Sequence, residues 1–249
     1  MNLLVLVAMD NEERAILRLL ADRLIGTRDL PGPIRAKVSE AGVDGIRLHV
    51  VATGIGLSNA AMVTAVCAAA IRPDAMIMTG VAGAMAARLD VGEVVVANEV
   101  VQYDSIYVGE KGTVPMRPGE YVSRESVSVV GFRPCPTLLS TVTSAGVKHG
   151  GMLISGAEFS SLPARKAELL ARHPNAIAID MEGAAFMQVA QRASIPAIVV
   201  KAVSDRLAPS SGSVLKDYVA HVDTACAASA QMLLQILKQL QLGKSCASS

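Results

Sequence analysis

Short apolar runs recur along this chain, and most are followed directly by a glycine or an acidic residue. Leu3–Val7, Ile46–Thr53, Ala75–Thr79, Val91–Val101, Met152–Ser155, Ile177–Ile179 and Ala197–Val203 are rich in Val, Ile and Leu and hold few charges. Runs of this length suit strands covered on both faces better than helices. Helical spacing fills several of the gaps. Asn11–Leu24 carries Ala15, Ile16, Leu19, Leu20 and Leu24 in register. Ser58–Ala70 is Ala-rich and stops before Pro73, while Pro163–Arg172, Met181–Arg192 and Lys216–Leu242 also read as helices. Gly26 to Pro33 reads as a loop, and residues 103–151, broken by Pro115, Pro118, Pro134 and Pro136, are the least legible. Strands alternating with helices predict an α/β fold with a largely parallel or mixed sheet. Residues 1–249 read as one domain, with 243–249 a flexible polar tail.

Composition removes several function classes. Lys plus Arg number 23 against 22 Asp plus Glu, so the basic excess of a nucleic-acid binder is missing. Three Phe, four Tyr and no Trp give no platform for stacking single strands. Cys67, Cys135, Cys226 and Cys246 lack Cys-x-x-Cys or zinc spacing, and His49, His149, His173 and His221 do not cluster. Free thiols, a reducing compartment and no metal are expected. Leu48 to Ile71 carries no formal charge, but Gly54, Gly56, Ser58 and Asn59 interrupt it, which argues against a membrane span. The first residues lack a basic segment and read as a strand rather than a signal peptide. The expectation is a cytoplasmic protein with no cofactor and with neither nucleic acid nor membrane as partner.

In open α/β sheets, ligands bind at the carboxyl ends of strands. That rule marks Ala8–Glu12, Gly54–Asn59, Gly80–Ala84, Ser155–Phe159, Asp180–Glu182 and Ser204–Asp205. The turns Gly54-Ile55-Gly56 and Gly80-Val81-Ala82-Gly83 let backbone approach a ligand, or simply let the chain turn. Neither is a Walker or dinucleotide loop, since no Gly-Lys-Ser/Thr or Gly-x-Gly-x-x-Gly is present there. Asp10, Glu12 and Glu13 could complement a helix dipole, and Glu12 could instead act as a general base. Asp180 could be an ordinary N-cap. Glu182 is followed by small residues, which leaves room for hydroxyl groups as partners. Asp205, after an apolar strand, is placed where low dielectric favours a protonated acid that can give its proton to a leaving group; a helix cap is the plainer role.

Seven segments together, AMDNEE (8–13), TGIGLSNAA (53–61), TGVAGAM (79–85), LDVGEVVVANEVVQYD (89–104), ISGAEF (154–159), AIAIDMEGAA (176–185) and IPAIVVKAVSD (195–205), resemble the purine nucleoside phosphorylase/uridine phosphorylase superfamily. Within it they look like the 5′-methylthioadenosine/S-adenosylhomocysteine nucleosidase branch. The resemblance implies a three-layer α/β/α sandwich with a central mixed, mostly parallel twisted sheet, usually a homodimer, and a role in methionine salvage. It implies hydrolysis of the N-glycosidic bond of a small-molecule adenine nucleoside, with water as nucleophile. Asp205, beside Ser204, would protonate or hydrogen-bond purine N7, and Glu12 would activate the water. Glu182 would bind the ribose hydroxyls, with Asp180 beside it and Met181 packed on the ribose. Phe159 would stack on the base, and backbone near Ser160 would read its edge. Met9 and Ile55 would contact the ribose and the 5′ substituent, and the Val81-Ala82-Gly83 backbone would line the site. Two positions depart from the branch: Val81 replaces a usual Ser, and Lys201 replaces a common Arg near the water. Lys keeps the charge but loses the fork geometry. The alternatives are a phosphorylase, a nucleosidase for another 5′-modified nucleoside such as futalosine, and a silent nucleoside-binding protein. Three acids in the first loop would repel phosphate, which favours hydrolysis.

Overall fold

A computed structural model of the chain describes residues 1–31, 34–110, 112–119, 131–209 and 211–246. In chain order its elements are β1 (Asn2–Val7), α1 (Asp10–Leu19), β2 (Leu24–Asp29), β3 (Lys37–Val43), β4 (Ile46–Ala52), α2 (Leu57–Ile71), β5 (Ala75–Met78), β6 (Val81–Ala84) and β7 (Val94–Gln102). There follow β8 (Ile106–Gly109), β9 (Gly112–Pro115), β10 (Gly131–Phe132), α3 (Pro136–Ser144), β11 (His149–Ser155), α4 (Pro163–Arg172), β12 (Ala176–Asp180), α5 (Gly183–Arg192), β13 (Ala197–Asp205) and α6 (Val214–Cys246).

The strands form a mixed sheet in the order β10-β7-β11-β12-β6-β13-β5-β1-β4-β3-β2. A further pairing of β7 with β13 curls β7, β11, β12, β6 and β13 into a closed half. The α/β class and the mixed sheet read from the sequence are both present. The apolar runs are buried on both faces because successive side chains alternate between two helix layers. Leu4 and Leu6 of β1 face a core shared with Ala60 and Val63 of α2 and Phe186 and Met187 of α5. Leu3, Val5 and Val7 face the opposite core, with Ile16 of α1, Leu138 of α3 and Leu233 and Ile236 of α6.

Several expectations need correction. The predicted helix Asn11–Leu24 ends at Leu19, and a short 3₁₀ turn, Ala21–Arg23, leads straight into β2. Much of the predicted loop from Gly26 to Pro33 is therefore strand, an exposed edge paired antiparallel to β3; Gly32 and Pro33 lie outside the described residues. β3 was not foreseen, although Asp44-Gly45 between Val43 and Ile46 is a tight-hairpin signal; their φ values are 43° and 81°. Most of the glycine turn expected at Gly80-Val81-Ala82-Gly83 is instead strand, the first three residues of β6. α6 continues past Leu242 to Cys246, into the stretch expected to be a flexible tail; residues 247–249 lie outside the described residues. In the illegible region, α3 and β11 are regular, while residue 111 and residues 120–130 lie outside the described residues. Among the described residues no helix is long and apolar enough to cross a membrane.

Candidate active site

The carboxyl ends of β1, β6, β12 and β13 open into one cavity of about 390 Å³, a size suited to a small organic ligand. Every residue that the sequence marked as catalytic or substrate-binding lines it, except Lys201. Glu12 and Asp205, far apart in sequence, share this space with Met9, Ile55, Val81, Ala82, Gly83, Phe159, Ser160, Asp180, Met181, Glu182 and Ser204.

Glu12 is held by backbone. It is the third residue of α1, and its carboxylate accepts N–H donors from Ala8 (2.8 Å), Met9 (2.8 Å) and Val81 (2.7 Å). Burial raises its pKa above the usual glutamate value; Lys201 and these three N–H groups pull the other way. Gly80 makes room for it. A Cβ there would stand 2.3 Å from Glu12 Oε1, and the φ of Gly80 is +119°. Gly80→Ala is therefore expected to destabilise the fold by about 1–3 kcal/mol in denaturant unfolding. Gly45→Ala, strained at φ +81° but open to solvent space, is the control and should cost less. Equal losses in both would mean that the Glu12 carboxyl yields freely.

Glu182 lies just before α5. Its Oε1 accepts the Gly56 N–H at 2.9 Å, tying the Gly54-Ile55-Gly56 turn to this end of the sheet. Burial pushes its pKa up to about 7, opposed by Lys201 and reinforced by Asp180. Asp180 accepts the Gly183 N–H on both of its oxygens and the Ser155 hydroxyl, but the N-cap of α5 is Glu182, two residues on, so Asp180 is not the ordinary N-cap that the sequence suggested. It also faces Lys201, whose Nζ stands 3.2 Å from Asp180 Oδ2 and 3.7 Å from Glu182 Oε2. Lys201 thus sits behind the carboxylates rather than on the cavity wall, at 1% exposure. Burial opposes its charge, but Asp180, Glu182 and Glu12 outweigh that and raise its pKa. The ammonium balances a group of acids that could not otherwise share so dry a space.

At the other end, a register shift between Val203 and Asp205 sets Asp205 opposite Gly83. The Ser204 hydroxyl lies 2.8 Å from Asp205 Oδ1 and 3.2 Å from the Ala82 carbonyl. Asp205 is not alone in an apolar cleft, as the sequence suggested: Lys166 Nζ donates to its Oδ2 at 2.7 Å. Sequence reasoning missed Lys166. The available signal was its spacing, three residues before buried Leu169 on α4, which puts it on the inner face. Tyr218 and Glu158 were also missed. Tyr218 meets Phe159 edge-on, with ring centroids 5.3 Å apart, and its hydroxyl reaches Met9 Sδ at 3.4 Å. Glu158 is held by Arg165 and by the Ser160 hydroxyl. Among the described residues no group of His, Cys, Asp and Glu side chains is arranged to hold a metal ion.

Comparison with known proteins places this geometry. A family model described as the phosphorylase superfamily matches residues 2–238. The chain is 32% identical over 208 residues to the 5′-methylthioadenosine/S-adenosylhomocysteine nucleosidase of Geobacillus sp. (strain WCH70), covering 82% of this chain and 85% of that one. It is similar to the crystal structure of the corresponding Neisseria meningitidis nucleosidase bound to methylthio-immucillin-A, at TM-score 0.78 and 26% identity over 95% of this chain and 98% of that one. A futalosine hydrolase of Helicobacter pylori shares the fold at TM-score 0.80 and 20% identity, over 96% of this chain and 98% of the other.

Proposed function

Because this chain belongs to the phosphorylase superfamily, we propose that it is an N-ribosyl hydrolase that releases adenine from 5′-methylthioadenosine and S-adenosylhomocysteine. The observation that carries this reading is the meeting of Glu12, Glu182 and Asp205 around one cavity of nucleoside size. Cleaving C1′–N9 leaves positive charge on the ribosyl group and negative charge on the purine. Buried carboxylates at Glu12 and Glu182 favour the first, in the manner of a glycosidase pair. Glu12 takes a proton from the attacking water, Glu182 accepts the ribose hydroxyls, and Asp205 serves the departing base. Each such acid or base contributes about 10²–10⁴-fold. Phe159 and Tyr218 supply an aromatic corner for the base, and Met9 and Ile55 meet the sugar and its 5′ group. Val81 has no hydroxyl to hold water, but its N–H orients the Glu12 carboxylate. In the cell this reading makes the protein a cytoplasmic homodimer in methionine salvage; the exposed apolar side chains of Met62 and Val219 are surface that a second copy could cover.

The electrostatics favour water over phosphate. The cations behind or within the cavity wall, Lys201 and Lys166, are each already paired with carboxylates, and a phosphate beside C1′ would face Glu12 and Glu182. The test is product analysis after incubation with 5′-methylthioadenosine, with and without inorganic phosphate. Adenine and 5-methylthioribose are expected in both. 5-Methylthioribose 1-phosphate appearing only with phosphate would make the chain a phosphorylase. Release of hypoxanthine from futalosine, with no adenine from 5′-methylthioadenosine, would move the substrate to the alternative.

A further inference from the structure

Lys166 occupies a position that packing alone does not explain. It lies in the first turn of α4, where the helix dipole disfavours a cation, and it is 1% exposed. A buried ion pair is a weak source of stability, since apolar residues of similar volume often serve as well or better. Its Nζ is held between Asp205 Oδ2 at 2.7 Å and the Ala84 carbonyl at 3.1 Å, which among the described residues leaves one of its three donors uncommitted. Gly83 is shaped to this pair. A Cβ there would lie 2.9 Å from Asp205 Oδ2 and 3.1 Å from Lys166 Nζ. All three residues line the cavity, and the other titratable groups lining it are Glu12, Asp180, Glu182, Tyr218 and the Arg165-bound Glu158.

We propose that Lys166 is a positioning residue for the leaving-base acid: it holds Asp205 over Gly83 and supplies the proton that Asp205 passes to the purine. This rests on the hydrolase reading above. A carboxylate paired with an ammonium has no proton of its own to give, so the pair must provide one. As C1′–N9 breaks, its electron pair enters the purine ring. An Nζ–H bond of Lys166 breaks while Oδ2–H forms on Asp205; that bond then breaks as N7–H forms. Lys166 is left neutral and regains a proton from water once the base has gone.

The test compares two leaving groups. One is adenine, in 5′-methylthioadenosine. The other is 4-nitrophenolate, in the 4-nitrophenyl β-riboside carrying the same 5′-methylthio group, which departs without a proton. Lys166→Gln keeps a donor toward Asp205 but has no proton to give. It is expected to lower kcat for adenine release about 10²-fold and to leave nitrophenolate release near the wild-type rate. Lys166→Arg, which keeps the charge toward Asp205 but does not give up a proton, is the second variant and should stay as slow on the purine as Lys166→Gln while releasing nitrophenolate normally. Wild-type purine rates in Lys166→Gln, equal losses on both substrates, or a purine rate recovered in Lys166→Arg would overturn the proposal. A wild-type enzyme that releases nitrophenolate but no adenine would overturn the substrate reading itself, and this inference with it.

Discussion

Asp205→Asn is expected to slow adenine release by about 10³-fold and, unlike most changes at a binding surface, to weaken the fold as well. Asparagine keeps the shape of the side chain and its contact with Ser204, but it removes the charge that Lys166 faces at 2.7 Å. Removing one partner of a buried pair strands the other, a loss of about 3–5 kcal/mol. The two effects separate in a double variant. Lys166→Met on the Asp205→Asn background removes the stranded ammonium, so most of the stability should return in denaturant unfolding while the rate stays low. Full stability in the single variant would show that Lys166 finds other partners. A rate restored in the double variant would remove Asp205 from the chemistry.

That pair also marks the boundary of what the sequence discloses. Strands whose both faces are covered announce themselves: β1 and β5 are apolar runs, and so is β13 as far as Val200, because each side chain meets one of two helix layers. The ends of β1, β12 and β13, and hence Glu12, Glu182 and Asp205, follow at once from the rule that ligands gather there. Edge strands leave no such mark. β2 is exposed along its whole length and mixes Leu24 and Ile25 with Gly26, Thr27, Arg28 and Asp29, so nothing in its pattern demands burial. Its place is fixed by partners instead, including Arg28 bonded to Glu40 on β3. The site's counter-charges leave no mark in the pattern for a different reason, and Lys201 is singled out through the resemblance alone. Lys166 and Lys201 are polar residues whose burial depends on carboxylates distant in sequence, Asp205 for one and Asp180 with Glu182 for the other. A one-dimensional pattern shows an amphipathic helix or an apolar strand, not which acid will close over its lysine. The same limit applies to Gly80 and Gly83, readable as turn formers but needed because Glu12 and the Lys166–Asp205 pair lie where a Cβ would stand.

Glu12→Gln is the complementary case, and its expected effect is a loss of about 10²–10⁴-fold in kcat. The amide cannot reproduce the carboxylate's setting. Ala8, Met9 and Val81 all aim N–H donors at Glu12, so a glutamine must turn its NH₂ group against at least one of them. An unpaired buried donor adds about 1–3 kcal/mol of destabilisation, which Glu12→Asp would not share in the same form. The pH profile gives the sharper check. Water activation needs Glu12 ionised, and burial lifts its pKa above the usual glutamate value; Glu182 is lifted to about 7 by the same desolvation. Activity should therefore fall as pH drops toward and below 7, well above the range of an exposed carboxylate. The limb belongs to the coupled set of Glu12, Glu182 and Lys201 rather than to one residue. Lys201 lowers the pKa of both glutamates, so Lys201→Met should move the acid limb to higher pH, while Lys201→Arg should leave it nearly in place. A limb at the ordinary glutamate value, or one indifferent to Lys201→Met, would mean that the buried cation does not govern the base.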